Sequence, residues 1–406
     1  MTQSLPSVFI VDTFYPEFLA ASYSDEPQLG RQDYEIQLGR LLRSGFGVSD
    51  AYAHGLTAAG CDVRVVIANA DRAQARWAAE HDLAPSGDVH AVRREIVAAQ
   101  IAHTRPDVVY VFEWCPLGDA LLAAIKRHTR LLVGQLASPP PAGRTFAAYD
   151  LIVSSYRPIV AHFRNIGAAA EYHALGFDER VPARIAAGPP RYDVTFVGGF
   201  APSHPNRVPW LERVLECVNV DIFGYGLENV PATSPIRAHH RGPAWGYAMY
   251  DVLARSRVTL NLHAVIDVGG PPAARTCANN MRLYEATGVG TCLVTDHKDD
   301  LAERFEPDRE VATFTNADEC AEKVAHLLTH EPERAAIARA GRQRTLRDHT
   351  YTSRMAGLLD MLQRYLYATH RASCSAPDPA ADATVRPVPS PARPRKRAAR
   401  TAPGPM

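Results

Sequence analysis

The sequence predicts an α/β protein of two consecutive units, each a parallel sheet covered by helices. Three observations carry this. Short apolar runs alternate with longer segments of helical period, the pattern of buried parallel strands and crossover helices. The alternation stops once, at Val181–Arg191 (VPARIAAGPPR), where Gly-Pro-Pro sustains neither a helix nor a central strand, and then starts again. The chain of 406 residues also exceeds what one ordinary hydrophobic core uses.

In the first unit, Val8–Val11 reads as the opening strand and stops at Asp12. Asp50–Ala59 reads as a helix ended by Gly60, and Val63–Ile67 as the strand after it. Glu95–His103 is helical, and Pro106 then precedes the strand Val108–Phe112. Leu131–Val133 and Leu151–Val153 are further short buried strands. The second unit runs strand Val194–Val197, helix Trp210–Cys217, strand Val220–Phe223, a helix around Met249–Ala254 and strand Thr259–Leu262. Helix Asn280–Thr287, strand Thr291–Thr295 and helical runs at Asp318–His326 and Pro332–Arg344 follow. A last amphipathic helix, Arg354–Tyr367, places Met355, Leu358, Leu359, Leu362 and Leu366 at helical spacing. The expected units are 1–185 and 190–350, then a closing helix 351–369 and a tail 370–406.

Composition narrows the class. Lys plus Arg and Asp plus Glu both number 44, which argues against a chain-wide surface for polyanions. The balance is uneven: residues 371–406 carry a net +5 and the rest a net −5. The tail has eight prolines and almost no aromatic residues, so it is expected to be disordered. Its basic stretch Arg393–Arg400 can touch anionic surfaces or remain a solvated tail. The seven cysteines are scattered with no CxxC pair, so no disulfide framework or zinc site is expected. The start of the sequence lacks a basic region before its short apolar run, and no stretch is long and apolar enough to span a bilayer. A cytoplasmic protein is expected.

The most informative stretch is Ala278–Leu301 (ANNMRLYEATGVGTCLVTDHKDDL). Asn279 or Asn280 can cap a helix whose first-turn N–H groups favour an anion. Arg282 and Glu285 share one face of that helix, a pairing suited to a phosphate and ribose hydroxyls and equally to a surface ion pair. No GxxxxGK[ST], HExxH or DxD motif is present, and Gly45-Phe-Gly47 is too short for a dinucleotide fingerprint. Asp299-Asp300 reads as a solvated pair beyond a strand.

The ordered set Asp193–Gly199 (DVTFVGG), Phe223–Gly226 (FGYG), Val258–Leu262 (VTLNL), Arg282–Gly290 and Arg344–Tyr351 (RTLRDHTY) resembles the CgeB-like, spore-protein-like glycosyltransferases of the GT-B superfamily. His54–Val63, Pro106–Tyr110, Gly134–Pro140 and Tyr149–Ser155 extend the likeness over the first half. The resemblance implies two Rossmann-like domains facing across a cleft, with the acceptor on the first and a nucleotide-activated sugar on the second. It implies Glu285 at the donor's ribose. It places Arg282, Asn280-Met281, Gly198, Gly199 and Arg207 at the diphosphate, and Gly224–Gly226 at the base. A second glutamate stands eight positions earlier in many related transferases; here that position is Cys277. Gly198-Gly199 also suits a plain strand-to-loop turn.

Transfer to an acceptor hydroxyl needs stabilisation of the departing diphosphate and, in an inverting enzyme, a base. Asp12 and Glu113 both follow apolar strands at their carboxyl ends, and Glu113 is the preferred base, with Arg282 the electrostatic partner. His54 reads as a structural or surface residue. His263 can face the donor sugar or be a satisfied buried histidine. No metal and no cofactor beyond the nucleotide sugar are expected, and the acceptor is open. Two other readings stand: a sugar-nucleotide epimerase on the same fold, and a non-catalytic assembly or binding protein.

Overall fold

A computed structural model of the chain describes residues 5–112, 117–141, 143–186, 188–202, 204–264 and 277–375, with side chains as far as residue 368. The first unit contains β1 (Ser7–Asp12), α1 (Pro16–Asp25), α2 (Tyr34–Leu42), α3 (Ser49–Ala58), β2 (Asp62–Ile67), α4 (Asp71–Glu80) and α5 (Val89–Thr104). It continues through β3 (Val108–Phe112), α6 (Asp119–Lys126), β4 (Leu131–Gln135), β5 (Leu151–Ser154), α7 (Arg157–Asn165) and β6 (Ala170–Tyr172). Its six strands are parallel, in the order β2-β1-β3-β4-β5-β6.

Burial explains the continuous apolar runs. Every residue of β3 is buried, as expected of a central parallel strand covered on both faces. The two-residue period then divides β1 between two cores. Val8 and Ile10 pack with Leu38, Leu41 and Leu56 of the α2–α3 side. Phe9 and Val11 pack with Val97 and Ile101 of α5 and Leu122 and Ile125 of α6.

The second unit contains β7 (Tyr192–Val197), α8 (Arg207–Leu215), β8 (Asp221–Phe223), α9 (Ile236–His239), α10 (Gly246–Ala254), β9 (Ser256–Asn261) and α11 (Arg282–Val289). β10 (Cys292–Asp296), β11 (Ala312–Phe314), α12 (Ala317–Thr329), α13 (Glu331–Asp348) and α14 (Tyr351–Ser375) complete it. Its five parallel strands run in the order β11-β10-β9-β7-β8. Strands β6 and β11 hold three residues each, too few to show an alternation in sequence. Helix α11 starts at Arg282, two residues later than its capping pattern predicts.

Helix α14 leaves the second unit and returns to the first. Its Met355, Leu358, Leu362 and Leu366 belong to the core that holds Ile10 and Tyr52. A Cβ on Gly55 of α3 would lie 2.6 Å from Met355, so the two helices cross closely. The helix continues through Ser375, past the boundary at 369, because no proline interrupts the chain before Pro377. The remainder of the expected disordered tail lies outside the described residues.

The two units meet on both sides of their sheet ends. On one side the Tyr247 N–H donates to the Ser44 carbonyl at 3.1 Å. Gly246 has φ +51°, and a Cβ there would lie 2.1 Å from the Ser44 oxygen. Tyr15, which follows β1, packs edge-on against Tyr225, which follows β8, at 5.2 Å. On the other side Arg157 pairs with Glu303 at 2.6 Å, and Arg304 donates to the Tyr172 hydroxyl at 3.2 Å. The carboxyl ends of the two sheets therefore face one another.

Candidate functional site

In the second sheet β8 lies on one side of β7 and β9 on the other, so the winding reverses between β7 and β9. Open α/β sheets bind ligands outside the carboxyl ends of the strands at such a reversal. Here those ends are Val197-Gly198-Gly199 and Asn261-Leu262-His263.

Arg207, at the start of α8, is buried across this crevice. Its guanidinium donates to the Gly199 carbonyl, and its Nη2 donates to the Leu262 carbonyl at 3.3 Å. It thus ties the ends of β7 and β9 together, and its Nε is buried with no partner among the described residues. Burial, with help from Arg282, pulls its pKa down to about 10, so it remains a cation at neutral pH. The neighbouring His204 is pushed to about 4 by burial and by Arg207 and is neutral.

Arg282 and Glu285 do lie on one helix face, but Glu285 is buried and Arg282 largely so. Arg282 Nη1 is 2.7 Å from Glu285 Oε2, with the side chains 12% and 8% exposed. Nη2 donates to the Val197 carbonyl at 3.2 Å, and Nη1 approaches the Met249 sulfur at 3.2 Å. Nε has no partner among the described residues. Burial raises the Glu285 pKa and Arg282 opposes that rise.

The first turn of α11 differs from the expected anion cradle. The Arg282 N–H donates to Asn280 Oδ1 at 2.8 Å, and the N–H groups of Leu283, Tyr284 and Glu285 donate to the carbonyls of Asn280 and Met281. These four donors are occupied because the chain already turns before the helix begins. Asn280 Nδ2 donates to Asn261 Oδ1 at 2.8 Å, and Asn261 Nδ2 to Thr295 Oγ1 at 3.0 Å. The Asn280 side chain therefore braces α11 against β9 and β10.

The glycines at the strand ends let two loops touch. The Gly198 N–H donates to Phe223 O at 2.9 Å and the Phe200 N–H to Tyr225 O at 2.8 Å, extending the β7–β8 pairing. A Cβ on Gly224 would lie 2.1 Å from Gly198 O, and one on Gly199 would lie 2.4 Å from the Tyr225 ring. Gly226, at φ +81°, turns the second loop back. Tyr225 stacks on Trp245 with centroids 5.4 Å apart.

His263 is buried at the end of β9. Its Nδ1 is 2.6 Å from Asp296 Oδ1, and its main-chain N–H donates to the same oxygen at 3.0 Å. Lys298 holds the other Asp296 oxygen at 3.0 Å. Although burial opposes it, hydrogen bonds from His263 and the charges of His263 and Lys298 bring Asp296 down to about 2. His263 Nε2 is buried with no partner among the described residues.

The first-unit candidates divide. Asp12 is buried at the end of β1, and its Oδ1 accepts the Thr13 N–H at 2.8 Å. His54 is exposed on α3. Glu113 lies outside the described residues. Cys277 is half-buried and packs against the first-unit cluster of Phe146 and Ile152. Asp299 is exposed, but Asp300 is not the solvated residue expected. It accepts the Ala278 N–H at 2.5 Å and pairs with Arg304 at 2.8 Å, because the chain folds back over it. Sequence reasoning did not single out Asp296, His204 or Trp245, and reached Tyr225 only within the Gly224–Gly226 loop; Asp296 carried a signal, a carboxylate closing an apolar strand.

Among the described residues no group of three or more His, Cys, Asp or Glu is arranged to hold a metal ion, and no helix is long and apolar enough to cross a membrane.

Residues 207–360 match a family described as glycosyl transferase-like. No curated protein matches the chain in sequence. Among solved structures, a glycosyltransferase from Rickettsia africae ESF-5 superposes with a TM-score of 0.55 at 10% identity, over 90% of this chain and 99% of that one. AviGT4, a glycosyltransferase involved in avilamycin A biosynthesis, gives 0.54 at 17% identity over 89% and 98%. The Anabaena protein Alr3699/HepE, crystallised with UDP and glucose, gives 0.53 at 11% over 88% and 100%. The fold is GT-B, and the family match over α8 to α14 supports an enzyme role.

Proposed function

We propose that the chain is a glycosyltransferase that takes a sugar from a nucleoside-diphosphate donor held by the second unit and passes it to a hydroxyl presented by the first. One observation carries this reading. Two guanidiniums, the buried Arg207 and the largely buried Arg282, stand at the β7–β9 reversal, each with a buried Nε that has no partner among the described residues. Both bond to main-chain carbonyls of the strand ends, and Arg282 is also paired with Glu285, whereas Arg207 has no carboxylate partner among the described residues. Buried like charges side by side are costly; Glu285 offsets one of the two, and a diphosphate is an anion that would offset the other.

Glu285, buried beside Arg282, is placed to accept from ribose hydroxyls. Arg282 is then the group closest to the charge that develops as the glycosidic bond breaks, and Arg207 fixes the crevice floor while adding to its field. The Gly224–Gly226 loop with Tyr225 supplies a flat wall for the base. The donor class of first choice is a UDP-sugar, on the likeness to the Anabaena protein solved with UDP and glucose. Metal independence is part of the proposal, since two guanidiniums are on hand to meet the leaving charge. So is membership of the CgeB-like group, which rests on the ordered motifs. The described cysteines are all free, which agrees with the cytoplasmic location we assign.

The test is a panel of UDP-, GDP- and dTDP-sugars, scored for binding by calorimetry and for release of nucleoside diphosphate as the sugar passes slowly to water, with and without EDTA. Release with one donor that survives chelation is the expected result. Failure to bind any member refutes the reading, and a changed sugar without release of nucleoside diphosphate would make the protein an epimerase.

A further inference from the structure

We propose that His263 is a specificity-determining residue whose Nε2 accepts a hydrogen bond from a hydroxyl of the donor's sugar. This rests on the glycosyltransferase reading above and goes beyond it by assigning which part of the donor the second unit discriminates.

The argument starts from Asp296. It accepts two hydrogen bonds on Oδ1 from His263, through the main-chain N–H and Nδ1, and a third on Oδ2 from Lys298. A carboxylate so surrounded only accepts, so the hydrogen on the imidazole sits on Nδ1. In the neutral ring Nε2 is then a lone pair. That nitrogen is buried and has no partner among the described residues. A buried acceptor without a donor is unfavourable, so the site calls for a ligand group carrying hydrogen.

Phosphate oxygens of a nucleoside diphosphate carry no hydrogen at neutral pH, and Arg207 and Arg282 already serve them. The sugar is the part of the donor rich in hydroxyls. His263 is on the same carboxyl edge as the guanidiniums, at the end of β9 beside β10, next to the Leu262 carbonyl that Arg207 reaches from the β7 side. Arg282 instead bonds to the end of β7 through the Val197 carbonyl. The placement matches a sugar lying beyond a diphosphate.

The experiment measures binding of UDP and of UDP-glucose by calorimetry to the full chain and to two variants. In His263→Asn the amide can still donate to Asp296, but no atom remains at the Nε2 position. UDP-glucose should bind about tenfold more weakly to this variant, the scale of one hydrogen bond, while UDP affinity stays within about twofold. His263→Gln, which places an amide oxygen near the Nε2 position, should recover most of the loss. Equal weakening of both ligands would show a phosphate or structural role and overturn the proposal, as would unchanged binding of both. Wild-type chain that binds neither is tested with GDP and GDP-mannose and with dTDP and dTDP-glucose in the same way. If it binds none of these pairs, the glycosyltransferase reading fails and this proposal falls with it.

Discussion

The carboxyl edges of the two sheets have the same parallel construction but differ in the buried charges they hold: Asp12 at the first, and Arg207, Arg282, Glu285 and Asp296 at the second. At the first edge the buried polar atoms without partners among the described residues include the uncharged Ser155 Oγ and His173 Nε2. Burial, and secondarily Arg354, holds His173 at about 4, so it is neutral at physiological pH. At the second edge they include the Nε atoms of two cations, Arg207 and Arg282. The strand orders differ only in the length of the run beyond the reversal, so topology alone does not assign the edges. Their side chains do. An edge with two guanidiniums suits a diphosphate, and one without a buried arginine at its strand ends suits a hydroxyl-bearing acceptor, which is the division of labour proposed above.

The contrast can be broken most directly at Arg282. Arg282→Met leaves Glu285 buried without its partner, so unfolding in urea should show a loss of about 3–5 kcal/mol at neutral pH. Arg282→Met combined with Glu285→Gln should recover part of it. A loss below about 1 kcal/mol would mean that the second edge is no more charged in effect than the first.

Glu285→Ala tests the same edge through the ligand. Donor affinity should fall by about 1.5–3 kcal/mol, the scale of lost hydrogen bonds to a charged group. Unchanged affinity in a folded variant would take Glu285 out of the donor site.

The first edge is sharpened by pH. His173 titrates near 6.5 when unfolded and near 4 when folded, so between those values the unfolded chain binds the extra proton. Its contribution is complete above pH 6.5 and is lost as the pH falls toward 4. His204 and His349 are depressed to the same value and act in the same direction. His173→Gln should therefore flatten only part of the decline, by about 1–3 kcal/mol between neutral pH and pH 4. Asp296, held near 2 against an ordinary 3.8, loses its contribution only below that window. Stability curves with the same slope in His173→Gln and wild type would show that this histidine is not kept neutral.

The smallest effect is expected from removing residues 376–406, which leaves α14 and both edges whole. Melting temperature should move by less than about 1 °C and nucleotide affinity should not change. A larger shift would show that the basic segment docks on one of the edges.

Legibility followed the range of the interaction. Strand β3 matches Val108–Phe112 residue for residue, because a strand buried on both faces must be continuously apolar. Helix α14 was visible in its leucine spacing, which is set by the face it buries. The start of α11 was misplaced because Asn280, a good capping residue, spends its amide on Arg282 and on Asn261 of another strand. Asp300 was misread for the same kind of reason, since Ala278 and Arg304 reach it only after the chain folds back.

The amino-acid sequence by itself determined the class of fold and the placing of Arg282 and Glu285 on one helix face. Those follow from local periodicity and from a three-residue spacing. Tertiary structure alone decided that this pair is buried, that Arg207 bridges the ends of β7 and β9, and that Asp296 orients His263 from 33 residues away. The physical reason is that burial and electrostatic environment belong to the packed arrangement. A guanidinium costs little in water and demands a partner in the interior, and no sequence window records which of the two it meets.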